Sequence, residues 1–481
     1  MTKIAVGQPA DGSTPTNLDS DGRRDFSLRS VFGVAFAFIS PIIALYAIFN
    51  LGILTAGPSF WWAFVVVLAG QLLVALIFGE LSSRWPEEGG VYAWTRHLAG
   101  PKTAWWTGWT YAWTLICLNA AAAFAVSAFV VEVMDLDEAG TGPRIIVAAV
   151  FIVLATVVNS LSLRLLKIFI AISVVCEVVG SLYIGTVLLV FHRQNDPSVL
   201  MSGFVDGGVA FTMGPFLAAV AIAGWALIGF ESAADLAAEV KRPERNVPLA
   251  QIASLVLVAA TIMYAAAAVI LATPGITSGD AGGGDAIMAT ISTNLGEGVV
   301  LPMTIVVAIG FLAGIAAVSA ALSRAVHAMA QRNSLPASTW IARLSVRDQL
   351  PRNALLLTSG ASIVILALSV GLGFYDVMIA MSTGGFYIAF FIPIAAVLVA
   401  RVRRTWRPGV FHLRRAGALV NLLAFVWLAF EILNISWPRP LGLPWYVEWG
   451  CVLMYALLGV LGLVVFFSLR NRFSQESSHH D

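Results

Sequence analysis

The sequence predicts an all-α polytopic membrane protein with 12 transmembrane helices, and three observations carry that prediction. Hydrophobic residues make up 59% of the 481 residues and charged residues only 11%, far from the balance of a soluble domain. The apolar residues gather into runs between Ser30 and Leu469, separated by polar punctuation, and a helix needs roughly 20 such residues to cross a bilayer core. Backbone in hydrocarbon must satisfy its own hydrogen bonds, which makes each run a helix.

The first 29 residues are polar, carry Asp11, Asp19, Arg23, Arg24 and Asp25, and read as a disordered cytoplasmic tail, not a cleavable leader. The first span, 30–54, holds Ser40-Pro41 near its middle, and proline removes an N–H and crowds the preceding turn. The second span is 60–82 and opens on Trp61 and Trp62; the third is 103–134 and opens on Trp105 and Trp106. These four, with Trp437 and Trp445, sit where interfacial anchors belong. Asn119 is a polar residue inside the third span, of the kind that bridges membrane helices. The fourth and fifth spans are 144–163 and 165–191. Glu177 falls near the middle of the fifth, and an ionisable residue at that depth is costly and usually functional.

The sixth span, 211–240, reads Ala223-Gly224-Trp225-Ala226-Leu227-Ile228-Gly229-Phe230-Glu231-Ser232 through its centre, and its glycines permit backbone shapes that other residues resist. The seventh is 247–272, followed by a glycine-rich 273–297 segment that reads as a flexible extracellular loop. The eighth, 298–331, carries a Gly310–Gly314 close-packing stripe, and the polar stretch 331–353 after it reads as an amphipathic surface helix. The ninth to twelfth are 353–371, 375–401, 416–436 and 447–469, with a cytoplasmic tail over 470–481. Glu431, in the eleventh, reads as structural.

Twelve spans place both termini on one side. With the N-terminus cytoplasmic, all of the 28 Lys and Arg residues except Arg144, Arg193 and Arg439 lie inside, as the positive-inside rule requires. The expected location is therefore the cell (plasma or inner) membrane. Glu80 and Arg324, near cytoplasmic helix ends, read as members of ion pairs. Cys117, Cys176 and Cys451 all fall in apolar runs and read as packing residues.

The interruptions at 40–41 and 224–229 open two blocks of five spans. Paired broken helices in corresponding positions point to inverted repeats and a midplane transporter site, where loosened backbone offers N–H and C=O groups to a guest. The candidate binding residues there are Ile39, Ser40, Ile42, Gly224, Trp225, Ile228 and Gly229. Glu177 and Glu231 are candidates to take up a proton or help hold Na⁺, the proton being preferred. The structural alternatives are a helix-to-helix hydrogen bond for Glu177 and a cap on the broken helix for Glu231. No cofactor, metal or nucleic-acid partner is expected. Only six histidines are present, with no HExxH or paired-cysteine spacing, so an enzyme is not expected.

Three separated motifs resemble the amino acid–polyamine–organocation transporters. They are Gly229-Phe230-Glu231-Ser232 with Glu239 to Pro248, Gly79 to Trp94, and Ser323-Arg324 through Ala354. The first span looks closer to the amino acid/choline branch. The resemblance covers roughly residues 26–410 and implies a LeuT-like 5+5 fold. Its inverted repeats would be 30–191 and 211–401 within a 30–401 core, with two peripheral helices over 402–469. It further implies alternating access, with Trp225 packing on substrate, Asn119 as a third-span polar contact, Glu231 as a sixth-span carboxylate, and Trp225 and Phe230 as gates. Glu177 stands where some proton-coupled members have a lysine. Many members have a Gly-Ser-Gly-like first-span break that binds a substrate carboxylate; here Ser40-Pro41-Ile42-Ile43 replaces it. That departure, with a carboxylate at 177, tilts the reading toward an amine-bearing substrate such as GABA or a polyamine. The expected protein is a proton-coupled or exchanging secondary transporter, monomeric or homodimeric. The alternative is a non-transporting nutrient sensor on the same fold, disfavoured by the short tails.

Overall fold

The computed structural model describes residues 26–136, 140–161, 163–203, 213–276, 286–345, 349–371, 373, 375–439, 445–469 and 472. Helix α1 (Leu28–Ile39) stops at Ser40, and α2 (Pro41–Ala56) starts directly after it. A tight turn at Gly57–Ser59 leads into α3 (Phe60–Arg84). Helix α4 (Gly90–Val133) is kinked at Gly100, where φ is 82° just ahead of Pro101. Next come α5 (Thr141–Leu161) and α6 (Leu163–Glu177), a π turn at Val178–Tyr183, and α7 (Ile184–Phe191). Helix α8 (Met213–Ala226) loses helical form over 227–231 before a single turn, α9 (Ser232–Asp235). The remaining helices are α10 (Pro243–Ala272), α11 (Ala286–Leu295), α12 (Val300–Gln331), α13 (Ser338–Ile341), α14 (Arg352–Gly371), α15 (Tyr375–Val402), α16 (Gly417–Ser436), α17 (Trp445–Glu448) and α18 (Gly450–Ser468).

Among the described residues, ten helical stretches are long and apolar enough to cross a membrane. The first, Leu28–Arg84, is 57 residues long and contains the first two expected spans. The expected sixth span is not among the ten, because the break after Ala226 leaves α8 too short. Burial separates centre from rim. The most apolar windows of α4 and α12 are 83% and 72% buried, whereas those of α5 and α16 are 28% buried and that of α18 is 17%. The rim helices turn large apolar side chains outward, among them Ile146, Val157, Leu433, Val460 and Val464. In water such a continuous apolar surface would be an aggregation liability; against lipid it is the natural exterior. The chain is a multi-pass membrane protein.

Three sequence expectations change. Between the end of α12 at Gln331 and the start of α14 at Arg352, only Ser338–Ile341 is helical among the described residues of the expected 331–353 surface helix. Positive φ at Asn333 (54°) and Ala337 (52°) breaks that path. The expected 273–297 loop contains α11, tied back by Asn294 Nδ2 donating to the Ala272 carbonyl at 3.2 Å; residues 277–285, with four of its glycines, lie outside the described residues. Trp105 is no interfacial anchor. It is fully buried, and its indole donates to the Ser334 carbonyl at 2.7 Å, because α4 starts more than a turn earlier than the span. Trp437 and Trp445 are exposed, as anchors should be. Residues 1–25 and nearly all of 470–481 lie outside the described residues. Phe26 is buried and pairs with Val240 through a parallel bridge.

Candidate functional site

The two broken helices lie side by side with their halves matched: α2 packs on α8, and α1 packs on α9. A Cβ added at Gly229, where φ is 102°, would run into the Phe38 ring. The sixth-span break therefore uses glycine both for its left-handed backbone and for close approach to the first.

At the first break, Ser40 has φ 44°, a region costly for a residue with a Cβ. Local bonds offset that cost. Ser40 Oγ accepts from Ile43 N at 3.1 Å, and Pro41 occupies the first helical position, where its missing N–H is no loss. The next free donor, Ile42 N–H, gives its hydrogen to Glu177 Oε2 at 2.8 Å, and the Ser40 hydroxyl donates to Glu177 Oε1. A carboxylate from the fifth span thus caps the N-terminus of α2, where the helix dipole favours negative charge. The approach needs small neighbours. A Cβ at Gly310 would lie 3.3 Å from Glu177 Oε1, and one at Gly180 would lie 2.9 Å from Ile42 Cδ1. The Gly310–Gly314 stripe brings α12 against this break, since a Cβ at Gly314 would lie 3.0 Å from the Ala37 carbonyl.

At the second break, Glu231 Oε2 accepts from Gly229 N at 3.0 Å, and Oε1 accepts from the Tyr111 hydroxyl at 3.0 Å. The same hydroxyl is 2.8 Å from Asp235 Oδ2. All three side chains are buried. A phenol has one hydrogen to donate, so two carboxyl groups converging on it can share a proton among themselves. Sequence reasoning missed Tyr111 and Asp235. The available signal was the carboxylates at 231, 235 and 239, spaced by one helical turn in an otherwise apolar span.

The other expected residues divide. Ile39, Ile42 and Ile228 are buried at the breaks. Gly224 faces Tyr387, whose oxygen would lie 3.0 Å from a Cβ there. Trp225 is buried with an unpartnered indole N–H. Phe230 is buried between Phe78 and Phe390, with ring centroids 6.0 and 5.8 Å away. Asn119 bridges helices: its Nδ2 donates to Ser362 Oγ and its Oδ1 accepts from Ser319 Oγ, both at 3.4 Å. Trp109 faces α18, donating to the Leu458 carbonyl at 3.0 Å. Glu80 pairs with Arg401, and Arg324 pairs with Glu239 at 2.6 Å. His327 meets Glu88 at 3.0 Å. These pairs tie the end of the bundle beyond Glu231.

Comparison with known proteins places the chain in context. The family model described as amino acid permease matches residues 27–466. Amino-acid permease BAT1 of Arabidopsis thaliana is 24% identical, over 92% of this chain and 90% of its own length. The GABA-specific permease of Saccharomyces cerevisiae is 26% identical over 86% of this chain and 75% of its own length. The polyamine transporter TPO5 of the same yeast is 24% identical over 86% of this chain and 70% of its own length.

Proposed function

The chain belongs to the amino acid permease family, and from that premise we propose that it is a secondary transporter of amino acids or related amines working by alternating access. The observation that carries this reading is the pair of broken helices packed half against half, each with a buried carboxylate on its loosened backbone. Such breaks offer a guest backbone donors and acceptors at mid-membrane depth. Twelve crossings follow if Leu28–Arg84 crosses twice and α8 with α9 crosses once, giving a LeuT-like 5+5 core with two peripheral helices. Both termini are cytoplasmic by the positive-inside rule, and the host is the cell membrane.

The substrate lies between the breaks, near Ile39, Ser40, Ile42, Gly224, Trp225, Ile228 and Gly229. Trp225 and Phe230 gate it. Asn119 supports the third span from behind through Ser319 and Ser362. The relatives named for GABA and polyamines make small amines the first substrates to try. Coupling runs through Glu177 and Glu231. A proton on Glu177 removes the charge that caps α2 and weakens its hold on Ile42 N–H, so the outer half of the first span can respond to protonation.

The test is uptake into proteoliposomes of labelled amino acids, GABA and putrescine, with and without an inward proton gradient. Glu177→Gln should abolish uptake driven by the gradient and leave counterflow exchange intact. Gradient-driven uptake at the wild-type rate in that variant would remove Glu177 from the coupling role, and no uptake of any amino acid or amine by the wild type would end the transporter reading.

A further inference from the structure

The buried carboxylates of the spans are not equally occupied. Glu177 and Glu231 each accept from two donors, and Glu80 has Arg401. Asp235 takes the Tyr111 hydroxyl at 2.8 Å on one oxygen, while its other oxygen, also without a hydrogen bond, faces Gly90 within electrostatic reach of Arg324. Glu431 differs. It is fully buried in α16, its Oε2 has no hydrogen-bond partner, and its Oε1 receives only the Asn434 amide at 3.4 Å. Arg439 acts on it electrostatically but donates to Asn434 Oδ1, at 2.8 Å.

Its neighbours are also unsatisfied. The Tyr387 hydroxyl, both polar atoms of the Gln71 amide and the Trp427 indole nitrogen are buried without a hydrogen bond of full geometry, although Gln71 lies near enough to the Tyr387 hydroxyl to act on it as a hydrogen-bond partner. Tyr387 links the group together. Glu431 and Gln71 both act on its hydroxyl, and its ring lies 6.5 Å from that of Trp427. The Tyr387 oxygen also borders the sixth-span break, through the close approach at Gly224. Native interiors leave few polar groups unpaired. Several together beside a candidate binding region indicate a polar guest or ordered water.

We propose that Glu431, Tyr387 and Gln71 form an ammonium-binding subsite of the transport site, with the Glu431 carboxylate as counter-ion to the substrate nitrogen. An ammonium has three hydrogens to donate; Glu431 Oε2 and Gln71 Oε1 are acceptors without a hydrogen bond, and the Tyr387 oxygen, with two lone pairs, can accept beside Gln71. A water beside it would use the Gln71 and Trp427 donors. This inference rests on the transporter reading and deepens it: the substrate carries a cationic nitrogen. It needs no carboxylate at the first break, where Glu177 already holds the donors.

The experiment measures equilibrium binding and proteoliposome uptake of putrescine, GABA and alanine, with valerate as the nitrogen-free analogue of GABA. Wild type is compared with Glu431→Gln, Glu431→Asp, Tyr387→Phe and Gln71→Leu. Loss of a charged partner predicts at least about tenfold weaker binding of the preferred nitrogen-bearing probe in Glu431→Gln, partial recovery in Glu431→Asp, and weaker binding in Tyr387→Phe. Glu431→Gln binding within twofold of wild type overturns the subsite, as does wild-type uptake of valerate equal to that of GABA. If Glu431→Gln does not fold, unchanged binding in both Tyr387→Phe and Gln71→Leu overturns it. If wild type moves none of the amino acids or amines, the transporter reading fails and the subsite falls with it. Transport by wild type with unaltered Glu431→Gln sinks the subsite alone.

Discussion

Replacing Glu177 by leucine strands the donors that hold the first-span break together. Leucine is close in volume to glutamate but accepts nothing. The Ser40 hydroxyl and Ile42 N–H, both buried against Glu177, lose their acceptor. Each orphaned donor costs about 1–3 kcal/mol, and loss of the anion at the α2 N-terminus adds up to about 2 kcal/mol. Glu177→Leu should therefore destabilise the protein by about 2–8 kcal/mol. Glu177→Gln should cost only about 1–2 kcal/mol, because its amide oxygen can still accept from Ile42 while its NH₂ donates to Ser40 Oγ. The assay is unfolding in mixed micelles, followed by tryptophan fluorescence and helical circular dichroism, with both variants beside wild type. If leucine proves as stable as glutamine at this position, the carboxylate does not cap α2 and the reasoning fails.

Gly229→Ala forces a Cβ into the Phe38 ring at φ 102°; a loss of about 2 kcal/mol or more and a collapse of uptake are expected, and wild-type stability would contradict the close approach of the two breaks. Tyr111→Phe takes the shared hydroxyl from Glu231 and Asp235. It should cost about 1–3 kcal/mol and shift the pH dependence of uptake, read from rate against pH. At the membrane edge, the hydrogen bond from His97 holds the Glu87 carboxyl below its usual range. A depressed carboxyl contributes stability above its unfolded pKa and loses it as pH falls through the folded value. Wild type should thus lose slightly more stability on acidification than Glu87→Gln. The half-exposed pair limits the difference to under about 1 kcal/mol, and thermal unfolding between pH 7 and pH 3 reads it.

Most span positions were legible because length and hydropathy govern membrane helices; the exceptions are α4, which begins at Gly90 where 103 was expected, and α8, which stops at Ala226 within the expected 211–240. Both breaks were legible because Pro41 and Gly229 change the backbone by themselves. What filled the breaks was not. Glu177 stands 135 residues from Ile42, and only packing reveals that it caps the helix instead of waiting for a cation. Asn119 showed the opposite limit: its polarity was visible, but the direction of its amide depends on Ser319 and Ser362. The failed surface helix after Gln331 had helix-compatible polarity, yet Asn333 and Ala337 adopt left-handed backbone that composition does not announce. Glu431 was passed over because its span lies outside the repeats, whereas the unsatisfied groups around it appear only once α3, α15 and α16 are brought together.

The wide turn at Val178–Tyr183 begins one residue after Glu177. Such a turn inserts an extra residue into the winding, and turns of this kind recur at functional sites. The fifth span therefore carries slack right beside its only buried acid. Under the coupling role proposed for Glu177, a change of charge there would act on a stretch of rod that is already wound less tightly than its surroundings.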